Sequence, residues 1–272
     1  MNTKLLSLYN ISNIHKFLGS AYSLKYENEA VLLYQNNPAF CKIQLANYNT
    51  ALYNAIIRSI VVDDNQKTLQ YYSDYQSKIF EKLTGIDMDN YQYNLLILSI
   101  HIHNHKWDFT TAYNILSTNT ALIHDYEKKI PPQIFKSSYF FLGLTMFGLQ
   151  KTEQALEYWS SFYEDKTAYT RIYQIHAYYL RLLLLWDSQQ WPVLLYRLEQ
   201  TKRFLRKHSP NTLFIRLIYR FIRRSALQPQ QAQQAISQFH HALSHYICDE
   251  TVNPLKIFNY TRWAAQRLMI KP

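Results

Sequence analysis

The amino-acid sequence predicts an all-α protein built from repeated helix pairs. Apolar residues recur at positions i, i+3, i+4 and i+7 in segment after segment, for example at Leu95, Leu98 and Ile102, which is the periodicity of one helix face. Glycine is scarce, with 4 in 272 residues, whereas average usage gives roughly 19. Because tight hairpins and phosphate or dinucleotide loops need glycine, these sites and folds rich in strands are disfavoured.

Helix breaks recur along the whole chain, where polar residues, glycine or proline interrupt the apolar periodicity. They fall at Asn36-Asn37-Pro38, Asp63-Asp64-Asn65, Gly85-Ile86-Asp87, Lys106-Trp107-Asp108, Pro131-Pro132, Gly148, Asp187-Ser188, Ser209-Pro210, Pro229 and Asn253-Pro254. Between them we expect about a dozen helices of roughly 14–20 residues. No linker or composition shift marks a boundary, so we predict one domain over residues 1–272. Residues 1–35 would form an irregular N-terminal cap and 253–270 a C-terminal capping helix.

The composition is typical of a soluble protein. Hydrophobic residues make up 48% of the chain, which is enough to bury a core. No apolar run approaches the roughly 20 residues of a membrane helix, and no secretory signal is recognised. The two cysteines, Cys41 and Cys248, suit free thiols in a reducing compartment. We therefore expect a cytoplasmic protein with no membrane partner, and we predict no particular oligomeric state.

The clearest internal repeat unit lies within residues 139–162. It consists of Tyr139, Leu142-Gly143, Met146, Ala155 and Trp159. A small residue on each of two helices lets them approach closely, and the bulky residues fill the groove beside them. The spacing is similar to the tetratricopeptide (TPR) pattern W-x2-L-G-x2-Y…A-x3-F, although Gly148 departs from the usual turn position. The resemblance implies a TPR-like solenoid, a right-handed superhelix of about six antiparallel helix pairs.

Small residues recur at comparable positions of other predicted second helices. Ala112 and Ala155 are 43 residues apart, and Ala155 and Ala235 are 80 apart. These distances indicate a period of about 40 residues, longer than the roughly 34 usual for this repeat. We therefore expect degenerate repeats, and the alternative is an irregular all-α globule.

Three further segments resemble a largely uncharacterised family of tetratricopeptide-like proteins from Bacteroidetes-type bacteria. They are Asn37-Pro38-Ala39-Phe40 with Leu52-Tyr53-Asn54-Ala55, then Arg203-Phe204-Leu205-Arg206-Lys207, and Asn253-Pro254 with Phe258-Asn259-Tyr260-Thr261-Arg262-Trp263. This resemblance covers about residues 30–270. It implies the helical-repeat fold and no catalytic residue.

Two histidine clusters were considered as metal sites. In the first, HIHNH, His101 and His105 lie one helical turn apart; in the second, His241, His245 and Cys248 follow at i, i+4 and i+7. Such spacings place side chains on one helix face. The first cluster has no third ligand at a matching position, and the second needs a fourth. We therefore predict no metal and no cofactor.

The sequence also predicts that the protein is not an enzyme. It contains neither HExxH nor GxSxG, the motifs of zinc proteases and serine hydrolases. Neither cysteine has flanking residues that would lower a thiol pKa. Acidic pairs such as Asp63-Asp64 fall at predicted helix boundaries, where aspartate usually caps a helix.

Positive charge is concentrated between residues 197 and 224. This stretch holds nine basic residues opposed only by Glu199, whereas residues 1–136 hold 12 basic and 11 acidic side chains. The candidate binding residues are Lys202, Arg203, Arg206 and Lys207 on one helix, and Arg216, Tyr219, Arg220, Arg223 and Arg224 on the next. Because consecutive helices of a repeat pack together, the two stripes are expected to merge into one patch.

Further candidates lie on the preceding predicted helix. If Ala177 is its small packing residue, then Arg171, Gln174, Tyr178 and Arg181 face the concave side. The tyrosines are expected to fill grooves between helices, and the alternative is that they serve as rigid anchors on a concave interface.

The basic stretch is compatible with three roles. Arginine forks bind the carboxylates of an acidic peptide, basic helices bind nucleic-acid phosphates, and a charged face can be merely solvated. The expected function is a scaffold that binds a partner peptide or protein, possibly acidic in character. The alternative is nucleic-acid binding through residues 197–224.

Overall fold

The structure, a computed structural model, describes residues 4, 8, 22–164, 171–208, 212–246, 255 and 257–269. Every regular element within these ranges is an α-helix or a short 3-10 helix, which confirms the all-α prediction. The chain divides into two compact units, Met1–Thr145 and Met146–Pro272. A single domain over residues 1–272 stays a prediction.

The first unit is formed by short and long helices in sequence. They are α1 (Tyr22–Gln35), α2 (Pro38–Ile43), α3 (Leu45–Val61), α4 (Asn65–Tyr75), α5 (Gly85–His105), α6 (Phe109–Thr118), α7 (Thr120–Lys129) and α8 (Pro132–Phe135), with a 3-10 helix at Lys78–Lys82. Helix α3 packs against α1, α4 and α5, and α5 packs against α6 and α7. Short connections join most of these neighbours.

The second unit continues the same pattern after α9 (Ser138–Gly148), the helix in which the chain divides. Its helices are α10 (Thr152–Glu164), α11 (Arg171–Asp187), α12 (Trp191–His208), α13 (Thr212–Leu227), α14 (Ala232–Ser244) and α15 (Tyr260–Met269), with a 3-10 helix at Pro229–Gln231. From α10 to α15, each helix packs against the next one along the chain.

The structure confirms most of the predicted breaks and adds others. Helix boundaries fall at residues 36–37, 62–64, 106–108 and 188–190, as expected. Gln44 and Asn119 interrupt the chain as well, so α2 has only 6 residues and α6 and α7 have 10 each. These helices are shorter than the 14–20 residues expected. The predicted breaks at Ser209-Pro210 and Asn253-Pro254 lie outside the described residues.

Only the N-terminal end of the described chain differs from the expected caps. Residues 22–35, expected in an irregular cap, form the regular helix α1, because Ala30, Val31 and Tyr34 are buried where α1 packs on α3. The C-terminal helix runs over Tyr260–Met269, inside the predicted 253–270. The rest of the predicted N-terminal cap, apart from Lys4 and Leu8, lies outside the described residues.

One turn geometry recurs at four helix ends. Asp63, Trp107, Gln150 and Gln189 all have positive φ, between 55° and 65°. At each turn the next residue donates its N–H to the carbonyl five residues earlier, over 2.9–3.0 Å. This is the Schellman geometry that ends a helix. The turns are 44, 43 and 39 residues apart, which agrees with the predicted period.

A buried residue follows each of these turns at the same distance, five positions later. The four residues are Thr68, Ala112, Ala155 and Leu194. After the first turn, the hydroxyl oxygens of Ser59 and Thr68 lie 2.8 Å apart and join α3 to α4. The equivalence of Ala112 and Ala155, inferred from spacing, therefore has a structural basis in the turn that precedes each of them.

Tyrosine fills the grooves between helices, as expected for most of these residues. In the first unit, the rings of Tyr34, Tyr48, Phe80, Tyr75 and Tyr91 form a buried chain with centroids 5.2–5.5 Å apart. The hydroxyl of Tyr91 donates to the carbonyl of Tyr75 at 2.9 Å. The ring of Tyr91 thus packs in the core while its hydroxyl keeps a hydrogen-bond partner.

An ion pair holds the C-terminal helix of the second unit. Arg267 on α15 donates from Nε and Nη2 to the two carboxylate oxygens of Asp187 at 2.7 and 2.8 Å. Asp187 is the last residue of α11, and it also accepts from the indole of Trp263 at 3.3 Å. Such a two-point fork fixes orientation as well as distance.

No helix in the described ranges combines the length and apolar character needed to cross a membrane.

The recurrent turns predict where glycine would stabilise the protein. Gln189 holds φ at 55°, a conformation costly for a residue with a Cβ. We expect Gln189→Gly to raise the free energy of unfolding by about 0.5–1 kcal/mol in urea titrations. The matched control is Gln70→Gly in the middle of α4, which should lower it by about 1 kcal/mol. A loss in both variants would contradict the argument.

Buried histidines predict how stability depends on pH. His101 is 7% exposed with its ring centroid 3.9 Å from that of Phe141, and burial, with a smaller effect of His105, lowers its pKa to about 3. The unfolded residue titrates near pH 6.5, so between about pH 6.5 and 3 the unfolded chain binds a proton that the native chain does not. Stability therefore falls as the pH is lowered through this window.

Urea unfolding at pH 7.5 and pH 5 measures this effect. Over that interval the wild type should lose up to about 2 kcal/mol more than His101→Phe does. His124→Gln, at a histidine whose side chain is 71% exposed, should behave as the wild type. Equal losses in all three proteins would show that His101 does not titrate as described.

Candidate functional site

Helix α12 has two flanks that pack on different neighbours, with an exposed face between them. Leu198 and Leu205 are buried in the core. At 100° per residue, Lys202 lies on the flank toward α13, while Arg197 and Phe204 lie on the flank toward α11. The contacts on the two flanks differ in chemistry.

The flank toward α13 is held by a cation, a ring and a carboxylate. Lys202 Nζ lies 4.1 Å from the ring centroid of Tyr219 on α13, a distance typical of a cation–π contact. The hydroxyl of Tyr219 donates to Glu199 Oε1 at 2.8 Å. The single acidic residue between 197 and 224 is thus bonded to a tyrosine.

Exposed cations border this seam on both helices. The basic surface, as we define it, consists of Lys202, Arg203, Arg206, Lys207, Arg216, Tyr219, Arg220 and Arg223. Its arginines and Lys207 are exposed. Within the described ranges, Arg203, Arg206, Lys207, Arg220 and Arg223 make no hydrogen bond or ion pair. Lys202 and Tyr219 are the members of the two stripes whose contact the structure gives, and the merging of the stripes into one patch stays a prediction.

Arg224, a sequence-predicted candidate, has a different environment. Its guanidinium donates to the side-chain oxygens of Gln231, Gln234 and Gln238 at 2.9, 2.8 and 2.5 Å. These contacts tie α13 to the following 3-10 helix and to α14. Arg224 therefore belongs to the packing of the hairpin, and we leave it out of the basic surface.

The flank of α12 toward α11 contains a buried arginine. Arg181 on α11 is 8% exposed, and its guanidinium carbon lies 4.3 and 4.9 Å from the ring centroids of Tyr163 and Tyr178. Its Nε and Nη2 atoms have no hydrogen-bond partner and are shielded from solvent. Arg197 on α12 lies close enough for its positive charge to act on Arg181. We call Tyr163, Tyr178, Arg181 and Arg197 the Arg181 cluster.

The electrostatics of the Arg181 cluster are unbalanced. Burial lowers the pKa of Arg181 and the positive charge of Arg197 lowers it further, whereas the negative charge that Tyr163 and Tyr178 carry when ionised acts in the opposite direction. Burial likewise raises the pKa of Tyr163, whose hydroxyl is buried without a partner. In the described part of the chain, no carboxylate compensates the charge of Arg181.

Arg171 and Tyr178 line the same flank further along α11. Tyr178 stacks on Phe204 of α12 with centroids 4.3 Å apart. Arg171 lies 5.8 Å from that ring and donates to Gln174 at 2.9 Å. Ala177 is buried as the sequence suggested, but Gln174 and Arg181 are buried as well. The side of α11 expected to be concave is therefore packed against α10 and α12 at these positions.

The histidines of HIHNH have separate partners. His103 lies 3.1 Å from Asp108, which caps α6, and His105 lies 2.8 Å from Asp63 in the turn after α3. His101 is buried against Phe141. The three side chains do not converge on one point, and they anchor the end of α5.

The second histidine cluster is a local contact on α14. His245 Nδ1 lies 2.9 Å from the carbonyl of His241, and their rings lie 4.4 Å apart. Cys248 lies outside the described residues. Among the residues that the structure describes, no group of three potential metal ligands comes together.

Sequence reasoning missed Tyr163, Tyr196 and Arg197. Tyr163 and Arg197 complete the Arg181 cluster from α10 and α12, and Tyr196 is 63% exposed beside Arg197. Arg197 fell within the recognised basic stretch, and its spacing of seven residues from Phe204 placed it on the flank toward α11. For Tyr163, the sequence did not indicate which residues of α10 face which residues of α11, so no local signal was available.

Comparison of the chain with protein-family models, curated proteins and solved structures gives no match. The resemblance to tetratricopeptide proteins and to the Bacteroidetes-type family therefore rests on the motifs alone.

The contacts of Arg224 predict a structural role that its neighbour Arg220 does not share. We expect Arg224→Ala to lower the free energy of unfolding by about 1 kcal/mol in urea titrations, because three hydrogen bonds between α13 and its hairpin partner are lost. Arg220→Ala, one helical turn away, should change it by less than about 0.5 kcal/mol. Equal effects of the two substitutions would contradict this assignment.

Proposed function

We propose that the protein is a non-enzymatic helical-repeat scaffold that binds an acidic segment of a partner protein on the basic surface. In this proposal, consecutive antiparallel hairpins stack as a TPR-like, right-handed solenoid. The recurrence of the Schellman turn at intervals of 39–44 residues supports the repeat, because one supersecondary unit that recurs at a fixed period is the mark of solenoid folds.

The imbalance of charge on α12 and α13 is the observation that carries the proposed function. Five exposed cations there lack partners within the described ranges, and the one carboxylate of the stretch is bonded to Tyr219. A surface of one sign attracts ligands of the other and accelerates their association. Arginine, which forms most of the surface, binds carboxylates through two parallel hydrogen bonds.

Apolar residues at the ends of the α13 stripe favour a peptide over a nucleic acid. Leu213 and Leu227 are 44% and 56% exposed and share a helix face with Arg216, Arg220 and Arg223. They lie 14 positions apart, which is about 21 Å along a helix. An amphipathic acidic segment of this length contacts both leucines and the cations between them, whereas a phosphate backbone offers no apolar side chains.

Charge reversal tests the proposed function. The triple variant Arg206→Glu, Arg220→Glu and Arg223→Glu reverses three cations on both sides of the seam. We expect it to bind a fluorescein-labelled peptide of ten glutamates at least tenfold more weakly than the wild type, measured by anisotropy at 50 mM NaCl. The matched control is Lys42→Glu, Lys82→Glu and Lys106→Glu, which makes the same change in net charge at exposed lysines of the first unit.

The control should bind within twofold of the wild type. If both triple variants lose affinity equally, net charge alone governs binding and the basic surface is not the site. A labelled 20-nucleotide single strand of thymidines serves as the second probe. Tighter binding of this strand than of the peptide, with a steep dependence on salt and loss in the first variant, would replace the proposal with nucleic-acid binding.

A further inference from the structure

The Arg181 cluster contains a pair of hydrogen-bond donors that nothing in the described chain satisfies. Arg181 is 8% exposed, and both Nε and Nη2 lack a partner. Buried charged groups are normally paired, because losing hydration without compensation is costly. The rings of Tyr163 and Tyr178 compensate only in part, since a cation–π contact provides no hydrogen bond.

The same unit shows how this chain satisfies an equivalent pair of donors. Arg267 uses Nε and Nη2 to bind the two oxygens of Asp187 at 2.7 and 2.8 Å. The Nε and Nη2 atoms of Arg181 form the same planar fork, and among the described residues no acidic side chain binds them.

We propose that the Arg181 cluster is a binding site for a carboxylate, in which Arg181 binds both oxygens through Nε and Nη2. Arg197 contributes a second positive charge to the site. Tyr178, which is only half-buried, covers the guanidinium and moves aside to admit the ligand. The inference rests on the proposed function in that it takes the carboxylate from the acidic segment of the partner.

The shape and charge of the cluster favour a carboxylate over a phosphate. A planar fork of two donors matches two coplanar oxygens, and a carboxylate carries one charge, whereas phosphate carries nearly two at pH 7. The aromatic walls of Tyr163 and Tyr178 suit the ion that is less strongly hydrated. The geometry therefore points to an aspartate or glutamate side chain as the group bound.

The position of the cluster relates it to the basic surface. Arg197 and Lys202 lie on opposite flanks of α12, with Arg203 and Lys207 exposed between them. An acidic segment that crosses the exposed face of α12 therefore meets the basic surface on one side and the Arg181 cluster on the other. In this arrangement the basic surface attracts the segment, and Arg181 selects one carboxylate of it.

Thermal denaturation of the full chain in different sodium salts tests the site. The probes are propionate, phosphate and chloride at equal ionic strength and pH 7. A ligand that binds only the native state raises Tm, so the wild type should melt about 3 °C higher in propionate than in chloride. In Arg181→Met and in Arg181→Lys, which retains the charge but not the fork, this difference should fall below about 1 °C.

The matched control is Lys42→Met, at an exposed lysine of the first unit that lies outside both the basic surface and the Arg181 cluster, and it should keep the full propionate shift. General effects of salt on stability appear equally in all variants. A wild type without a propionate shift would overturn the proposal, and so would a shift that persists in Arg181→Met. A larger shift in phosphate that is lost in Arg181→Met would assign the site to phosphate.

The peptide assay separates this inference from the proposed function. We expect Arg181→Met to bind the ten-glutamate peptide about tenfold more weakly than the wild type does. Suppose that the charge-reversal variant loses peptide binding, whereas Arg181→Met binds the peptide as the wild type does and keeps the propionate shift. The proposed function then stands and this inference fails. If the propionate shift depends on Arg181 but charge reversal leaves peptide binding unchanged, the Arg181 cluster binds a carboxylate and the proposed function of the basic surface fails.

Discussion

The Schellman turn is the constraint on which the order of this all-α chain depends. A helix that ends with a residue at positive φ satisfies its last carbonyls and stops at a defined position, from which the chain continues into the next helix. Asp63, Trp107, Gln150 and Gln189 all adopt this conformation without being glycine. The packing of each hairpin outweighs the local strain of about 1–2 kcal/mol, which explains how four glycines suffice for 272 residues.

Much of the fold followed from the sequence because it depends on local chemistry. Polar and proline-containing breaks mark helix ends directly. The period could be inferred from Ala112 and Ala155, because a small residue recurs wherever two helices pack closely. The residues with positive φ were not predicted, because the side chains of Trp107 and Gln150 do not favour that conformation. The predicted break at Gly148 lies two positions before the actual turn residue. Tertiary packing overrode the expected irregularity of residues 22–35 in the same way.

The candidate site was only half predictable, for a related reason. Exposed cations such as Arg206 and Arg220 could be identified from the density of charge along the sequence and from their helical spacing. The Arg181 cluster depends on the way α10, α11 and α12 pack, so Tyr163 and Arg197 join it from distant positions in the sequence. Sequence spacing placed Arg181 on one face with Tyr178, yet it did not distinguish an open face from a packed one.

The distribution of ion pairs separates the arginines that hold the fold from those on which the proposed function depends. Where an arginine holds the fold, this chain supplies partners: Asp187 binds Arg267, and three glutamines of the next hairpin bind Arg224. Among the described residues, Arg203, Arg206, Lys207, Arg220 and Arg223 have no hydrogen-bond or ion-pair partner, and neither do Nε and Nη2 of Arg181, although like charges held together oppose folding. An acidic residue of the chain placed beside Arg181 would remove the free-energy cost of burying this charge without a partner. A site that keeps two donors unsatisfied retains the capacity to bind that carboxylate from another molecule.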